Sequence, residues 1–284
     1  VLIPKNLSEI KEGIINEKLL LPISMEGGEA IENNLENLYH FINRGLFYLG
    51  PTWNHSLDWV SSNYDEKYNK TKLKAIGLSS FGKEVINICQ ENKVLIDVSH
   101  IGETSFWDIE KISHKPFIAS HSSVHKICPH FRNLHDDQII AIRNNKGLIG
   151  INPYPFFIDP TFKERESTAR NQYKEKIKSI EIQYPKKSSQ WLAKQHFFQK
   201  ELANVCPDLD IFIDHMEYII KLAGIDYVGV GSDYDGLDCL PKDWNDCRDH
   251  IKIAERLESR GYSQEEIDKV MGKNILRVLE EINY

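Results

Sequence analysis

The sequence has no apolar run approaching the ~18–20 residues that span a bilayer, so no membrane segment is expected in it. No signal peptide is visible at its start. Its five cysteines (Cys89, Cys128, Cys206, Cys239 and Cys247) are odd in number and lack any Cys-x-x-Cys spacing. That excludes a thiolate-type structural zinc and a disulfide framework, and suits a reducing compartment. Basic residues form no stripe and the net charge is −7, which argues against nucleic acid or another polyanion as partner. There is no internal repeat, coiled-coil heptad or low-complexity tract, and no Gly-rich phosphate loop opens the last helices. What remains, 41% hydrophobic and 27% charged over 284 residues, is the composition of an ordinary globular chain. It begins with Val1 rather than Met, which predicts a preceding segment.

The most informative stretch is 93–123. Two short apolar runs, 94–98 and 116–119, each end in Ser-His, giving His100 and His121. Between them, residues 103–112 suffice for about three helical turns. Strand, helix and strand of these lengths make a βαβ unit with parallel strands, so both histidines emerge at the C-terminal edge of one sheet. Active sites of α/β folds are built on that edge.

Residues 19–24 are apolar and of strand length, and Met25-Glu26-Gly27-Gly28 follows, a carboxylate at a strand end beside glycines that permit a sharp turn. Helical spacing covers 31–43, and 45–50 returns to strand character before Pro51-Thr52-Trp53-Asn54-His55. The polar stretch 61–79 reads as a long surface loop, a helix opens at Ser79, and the loop after His121 holds His125, His130, Arg132 and His135. A helix over 136–145 leads to a strand at 147–151 and Asn152-Pro153-Tyr154-Pro155. Residues 159–208 read as a helical insertion or one extended helix within a single domain covering 1–284, with Trp191, Phe197 and Phe198 as packing anchors. An amphipathic helix over 209–223 stops at Gly224. The last strand, 226–231, has glycines suited to close packing and runs into Ser232-Asp233-Tyr234-Asp235. Ser263 and Glu266 form a capping box, and Gly272 separates that helix from the last one.

Six alternating strand–helix units predict a parallel sheet with helices outside, and eight would close a (β/α)8 TIM-type barrel, so the chain reads as a barrel lacking its N-terminal strand or strands. Glu26, His100, His121 and Asp233 stand at separate strand ends. One carboxylate and two neutral imidazoles suit zinc, and a second carboxylate could manage protons for a metal-bound water. Arg132 can grip a carboxylate with two parallel hydrogen bonds, which points to a substrate that carries one. Asn54, His55 and Tyr154 are further candidates for substrate contact.

Taken together, Met-Glu-Gly-Gly (25–28), Leu-Ser-Ser-Phe-Gly-Lys-Glu-Val (78–85), Leu-Ile-Asp-Val-Ser-His (95–100), Ile-Ala-Ser-His-Ser-Ser (118–123), Phe-Arg-Asn-Leu-His-Asp-Asp (131–137), Val-Gly-Val-Gly-Ser-Asp-Tyr-Asp-Gly (228–236) and Asn-Ile-Leu-Arg-Val-Leu (274–279) resemble the membrane dipeptidase (renal dipeptidase) family, the M19 metallopeptidases, in its bacterial type. The resemblance covers nearly the whole chain and is weakest at 159–208. It implies a (β/α)8 barrel with two zinc ions, cleaving a small dipeptide to amino acids by a metal-bound hydroxide. It implies that Glu26 bridges the metals, that His100 and His121 hold the second one, that Arg132 binds the substrate's carboxylate, and that Asp233 handles the proton and the amino end. Family members are often dimers, which implies a homodimer. The bacterial-type loop and the cysteine usage favour a cytoplasmic location.

Two departures stand out. The family's His-x-Asp, on its first strand, holds the first metal; the only such spacing here is His135-Asp136-Asp137, in the Arg132 loop. Thr52 is followed by Trp53-Asn54-His55 where mammalian members have Thr-His, and either Asn54 or His55 could serve as the donor to the substrate. Competing readings are a related amidohydrolase acting on a lactam, lactone or N-acyl amino acid, and a catalytically silent barrel that binds a peptide or amino acid. Residues 1–284 alone are expected to be poorly stable and inactive; measured dipeptidase turnover by this chain would refute that.

Overall fold

The computed structural model describes residues 1–201, 203–237 and 239–284. Among these residues, six short strands form one sheet in chain order: β1 (Ile23–Glu26), β2 (Leu46–Gly50), β3 (Leu95–Asp97), β4 (Phe117–Ala119), β5 (Leu148–Ile151) and β6 (Val228–Val230). Every neighbouring pair is parallel. Parallel neighbours need a crossover each, and helices supply them. α1 (Leu7–Ile15) precedes β1, α2 (Leu35–Asn43) follows it, and α3 (Asn63–Tyr68) and α4 (Ser80–Glu91) separate β2 from β3. α5 (Glu103–Ile112) and α6 (Asp136–Asn144) follow β3 and β4. Between β5 and β6 lie α7 (Pro155–Ile158), α8 (Phe162–Gln172), α9 (Lys174–Gln183), α10 (Lys187–Glu201) and α11 (Leu209–Ala223). α12 (His250–Ser259), α13 (Gln264–Asp268) and α14 (Asn274–Glu281) close the chain. No helix among the described residues is long and apolar enough to cross a membrane.

The middle strands are buried on both faces, which is why they read as continuous apolar runs rather than as alternation. Successive side chains still point to opposite faces. Ile96, Phe117, Ala119, Ile149, Ile151 and Val228 pack with the crossover helices, through Val85, Phe106, Ile109, Ile139 and Phe212. Phe47, Leu95, Ile118 and Leu148 pack instead with Ile10 of α1 and with Val278, Leu279 and Ile282 from α14 onward. The C-terminal segment is tied there by polar groups too. Asn274 Nδ2 donates to the carbonyls of Ile225 and Val228 (2.7 and 2.8 Å), and the Arg277 guanidinium donates to those of Lys146, Gly147 and Asp226. The sequence motif at 274–279 thus anchors the last helix to the starts of β5 and β6.

Several boundaries depart from the sequence reading. Only the end of the apolar run 19–24 lies in the strand. β1 begins at Ile23, while Leu19 and Leu21 are exposed and Leu20 bridges to Leu2. The helix expected over 31–43 begins only at Leu35, because Glu32 and Asn33 adopt left-handed φ (51° and 54°) and Asn34 caps the new start. The loop expected over 61–79 contains α3 and a short 3-10 turn at Lys70–Lys72. Its polar residues bond locally: Ser62 caps α3, and Asp65 accepts from the Ser56 amide and Asn69. Among the described residues, 159–208 hold three helices, α8 to α10, and not the one extended helix given as the alternative to a helical insertion. Trp191, expected as an anchor, is 58% exposed, whereas Phe198 is buried. Gly224 and the Ser263–Glu266 capping box stand as read. Close packing at the β6 glycines holds for Gly231, where a Cβ would run into the Ser120 carbonyl, but Gly229 has ordinary room.

His215 of α11 is fully buried and links two loops. Its Nδ1 accepts from the Val124 amide (3.0 Å), and its Nε2 donates to the Ile158 carbonyl (3.0 Å). Both nitrogens are satisfied only by a neutral ring, and burial pushes the pKa from 6.5 down to about 4. The stability this ring contributes is therefore full above about 6.5 and is lost as pH falls through that window, up to about 3 kcal/mol. His215→Ala is expected to cost about 2–4 kcal/mol at pH 7.5, with the deficit shrinking markedly by pH 4.5. Urea unfolding of both proteins at the two pH values checks this; an unchanged deficit would mean that the neutral ring is not the stabilising species.

Candidate metal centre and substrate cavity

Because the strands are parallel, the residues that follow them share one edge. β1 ends on Glu26, β3 leads to His100, β4 to His121, β5 to Asn152 and β6 to Asp233. Glu26 Oε1 lies 2.9 Å from His100 Nε2 and 3.4 Å from His121 Nε2, and the two Nε2 atoms are 3.0 Å apart. Among the described residues, this is the one group of three or more metal-ligating side chains whose ligand atoms lie within 4.8 Å of one another. Each histidine is nearly buried, and Thr52 Oγ1 donates to the His100 carbonyl, fixing its backbone.

The electrostatics fit a cation. Hydrogen bonding to His100, with His121 beside it, holds Glu26 well below the usual carboxylate range, against the opposing effect of burial. Burial, with Arg132 nearby, pushes His100 down to about 4. At neutral pH the set therefore offers an ionised carboxylate and a neutral imidazole at His100, the protonation states that a metal requires. Three ligand atoms crowded at about 3 Å suit a divalent ion held by Glu26 Oε1 and both Nε2 atoms.

A cavity of about 630 Å³ opens beside the triad, lined by Glu26, His100, Arg132 and Asp233. Arg132 is 4% exposed, and its Nη1 is buried without a hydrogen-bond partner. Burial lowers its pKa to about 10 against the pull of Asp233, Asp97 and Glu26, so it stays cationic at neutral pH. Its guanidinium lies over the Phe157 ring at 5.6 Å. Asp233 accepts from Asn152 Nδ2 at 3.0 Å, and burial raises its pKa. Its backbone is left-handed (φ 49°), an unusual state for a residue with a Cβ and one that clusters at functional sites.

Asn54, His55 and Tyr154 also line the cavity, so every site residue singled out in the sequence meets there or at the triad. His135 does not. It starts α6 and stacks on His125 at 4.0 Å between ring centroids. Sequence reading missed Asn152, although its position directly after β5 matches that of the other site residues. It also missed the aromatic wall that Tyr64, Phe131 and Phe157 build beside Trp53, which no spacing marks.

Comparison with known proteins agrees with this picture. The family model of membrane dipeptidases (peptidase family M19) matches residues 1–284. A protein of Acinetobacter calcoaceticus, described as an uncharacterized protein in the PQQ-III 3′ region, is 37% identical over 147 residues. That match covers 52% of this chain and only 46% of the relative, so about half of the relative's length is spanned. Two solved structures share the fold. One is a metallo peptidase from Rhodobacter sphaeroides liganded with a phosphinate mimic of the dipeptide L-Ala-D-Ala (TM-score 0.77, 23% identity, 99% of this chain and 68% of that one). The other is the probable dipeptidase PvdM from Pseudomonas aeruginosa (TM-score 0.79, 21% identity, 100% and 74%).

Glu26→Gln removes the charged ligand while keeping its shape, and is expected to weaken Co²⁺ binding by at least about 100-fold. Chelator competition read by the visible spectrum of bound Co²⁺ measures this; unchanged affinity would remove the triad as a metal site.

Proposed function

The chain belongs to the membrane dipeptidase family, peptidase family M19, and from that premise we propose that it is a metal-dependent dipeptidase that releases free amino acids from dipeptides. The observation that carries this reading is Arg132, a buried cation with an unpartnered Nη1 on the cavity that the Glu–His–His triad opens into. A buried donor without a partner costs roughly 1–3 kcal/mol, a penalty removed when an acceptor arrives. A substrate carboxylate offers two such acceptors in the geometry of the guanidinium fork.

Glu26, His100 and His121 would hold the metal, with zinc as its proposed identity. Bound there, such an ion supplies Lewis acidity towards a carbonyl oxygen and makes water a stronger nucleophile at neutral pH. A second zinc is part of the proposal, and Glu26 would serve as a ligand to it as well; the one ligand cluster among the described residues supports the ion on the two histidines. Arg132 binds the substrate's carboxylate and so sets which peptide bond faces the triad. Asp233, with its pKa raised by burial and its carboxylate steadied by Asn152, takes up a proton and passes it to the leaving amine, and contacts the substrate's amino end. Asn54 or His55 donates to the carbonyl oxygen, and Tyr154 packs against the substrate. The six-stranded sheet is proposed as part of a closed (β/α)8 barrel, a reading supported by its chain-order parallel strands and its fold likeness.

Arg132→Ala is expected to weaken dipeptide binding by on the order of 100-fold and to abolish the preference for a free carboxyl over the same dipeptide amidated there. Calorimetric titration of acid and amide pairs into the Co²⁺-loaded chain tests this. Equal affinity for acid and amide in the unsubstituted protein would sink the dipeptide reading and direct attention to lactam, lactone or other amide substrates. Relative to an active parent protein, Asp233→Asn is expected to lower kcat by about 10²–10⁴-fold with a smaller change in KM, measured as amino acid release.

A further inference from the structure

On the reading of Glu26, His100 and His121 as metal ligands, we propose that Asp97 and Ser120 are positioning residues that fix the tautomer of His121, and through it set the metal affinity of the site. Asp97 is the last residue of β3 and is 2% exposed. Its Oδ1 accepts from the Ser99 amide (3.1 Å), the Ser99 hydroxyl (2.7 Å) and the Ser120 amide (2.8 Å). Its Oδ2 accepts from Ser120 Oγ at 2.5 Å. As a carboxylate, Asp97 offers only acceptors, so the single hydroxyl hydrogen of Ser120 is committed to it.

Ser120 Oγ also lies 2.7 Å from His121 Nδ1. With its hydrogen directed at Asp97, the hydroxyl can only accept there, so Nδ1 carries the proton. A neutral imidazole protonated at Nδ1 has a bare Nε2, and Nε2 is the atom that faces Glu26 and His100. The opposite tautomer would aim an N–H at the place of the cation. Ser99 completes the arrangement: its hydroxyl hydrogen goes to Asp97, and its oxygen accepts from the His121 amide at 2.9 Å, holding the backbone of the ligand. His100 has no counterpart, because its Nδ1 is buried with no partner. Metal-binding histidines whose other nitrogen is oriented in this way typically lose 10–100-fold in metal affinity when the orienting group is removed.

Asp97→Asn makes a prediction that loss of packing would not. Turned with its carbonyl towards the Ser99 and Ser120 amides, the new side chain presents an NH₂ to Ser120 Oγ. The serine hydroxyl then donates to Nδ1, and the proton on the ring moves to Nε2. Selective ¹⁵N-histidine labelling of the metal-free full chain, with His121 identified by its loss in His121→Gln, reads the tautomer directly. Nδ1–H is expected in the unsubstituted protein and Nε2–H in Asp97→Asn, with Co²⁺ affinity 10–100-fold weaker in Asp97→Asn and in Ser120→Ala. Nε2–H in the unsubstituted protein, or an unchanged tautomer and affinity in a folded Asp97→Asn, would overturn the proposal. Should Asp97→Asn fail to fold, the unsubstituted spectrum and Ser120→Ala decide it by the same criteria. A ring fixed as Nδ1–H in a chain that binds no Co²⁺ would overturn the metal reading, and with it the step from tautomer to affinity.

Discussion

The ladder between β3 and β4 holds Ile96 opposite Phe117 and Asp97 opposite Ile118, and this register decides where both histidines stand. Each strand ends a fixed number of residues before its histidine, three for His100 and two for His121. Parallel pairing sends both to the same edge, and β1 delivers Glu26 to that edge from the other side of β2. A one-residue slip of β4 would turn its side chains to the opposite faces and break the Asp97–Ser120 bonds together with the approach of the two Nε2 atoms. The register is in turn held by burial. Phe117 and Ala119 pack outward with the helices and Ile118 inward with α14, so a slip would exchange two apolar environments of different size.

Charge at this edge is arranged around a gap. Glu26 and Asp233 face it as acids, Asp97 lies buried behind them, and Arg132 is the cation that all three attract. Burial disfavours charge on Arg132 and on Asp233 alike, yet neither forms a direct salt bridge with the other; Asp233 bonds to Asn152 instead. A structural ion pair would have closed both groups off. Kept apart, the guanidinium retains a free donor, and the raised carboxyl sits closer to the pH at which proton transfer is efficient. The cost of leaving these groups unsatisfied is borne by the surrounding packing, as expected for a site whose partners arrive with the ligand.

Much of the site could be read from sequence because its residues follow apolar runs directly. Ser-His after two short strands, Glu-Gly-Gly after a third and Ser-Asp after a fourth carry their own positional signal, and Gly224 and Ser263 mark helix ends by local chemistry alone. What could not be read depends on partners distant in sequence. The apolar residues at 19–21 looked like a strand of the sheet, but Leu20 pairs only in an isolated bridge with Leu2, and side-chain pattern does not say which ladder a backbone joins. Residues 61–79 looked like an open loop because Ser62, Asp65 and Asn69 satisfy one another by hydrogen bonds, which leave no hydrophobic period. Asp97 drew no reading of its own, lying inside the run 94–98. Its role lies in Ser120, which is 23 positions away and adjacent only across the ladder.

The same crossing contacts tie the fourth strand end to the other three. Gly150 and Gly231 leave no room for a Cβ against the Ser120 carbonyl, so β5 and β6 approach the backbone just before His121 more closely than any other residue would allow. The Ser122 amide donates to the Gly150 carbonyl and the Gly231 amide to that of Ile151 (both 2.9 Å), which closes this corner of the sheet edge. Asp233 follows Gly231 by two residues and must turn back over the cavity, and its left-handed backbone provides that turn. The glycines thus do more than relieve crowding. By bringing the β6 end against the residue proposed to orient His121, they place the carboxylate proposed for proton transfer near the ligand proposed for the metal.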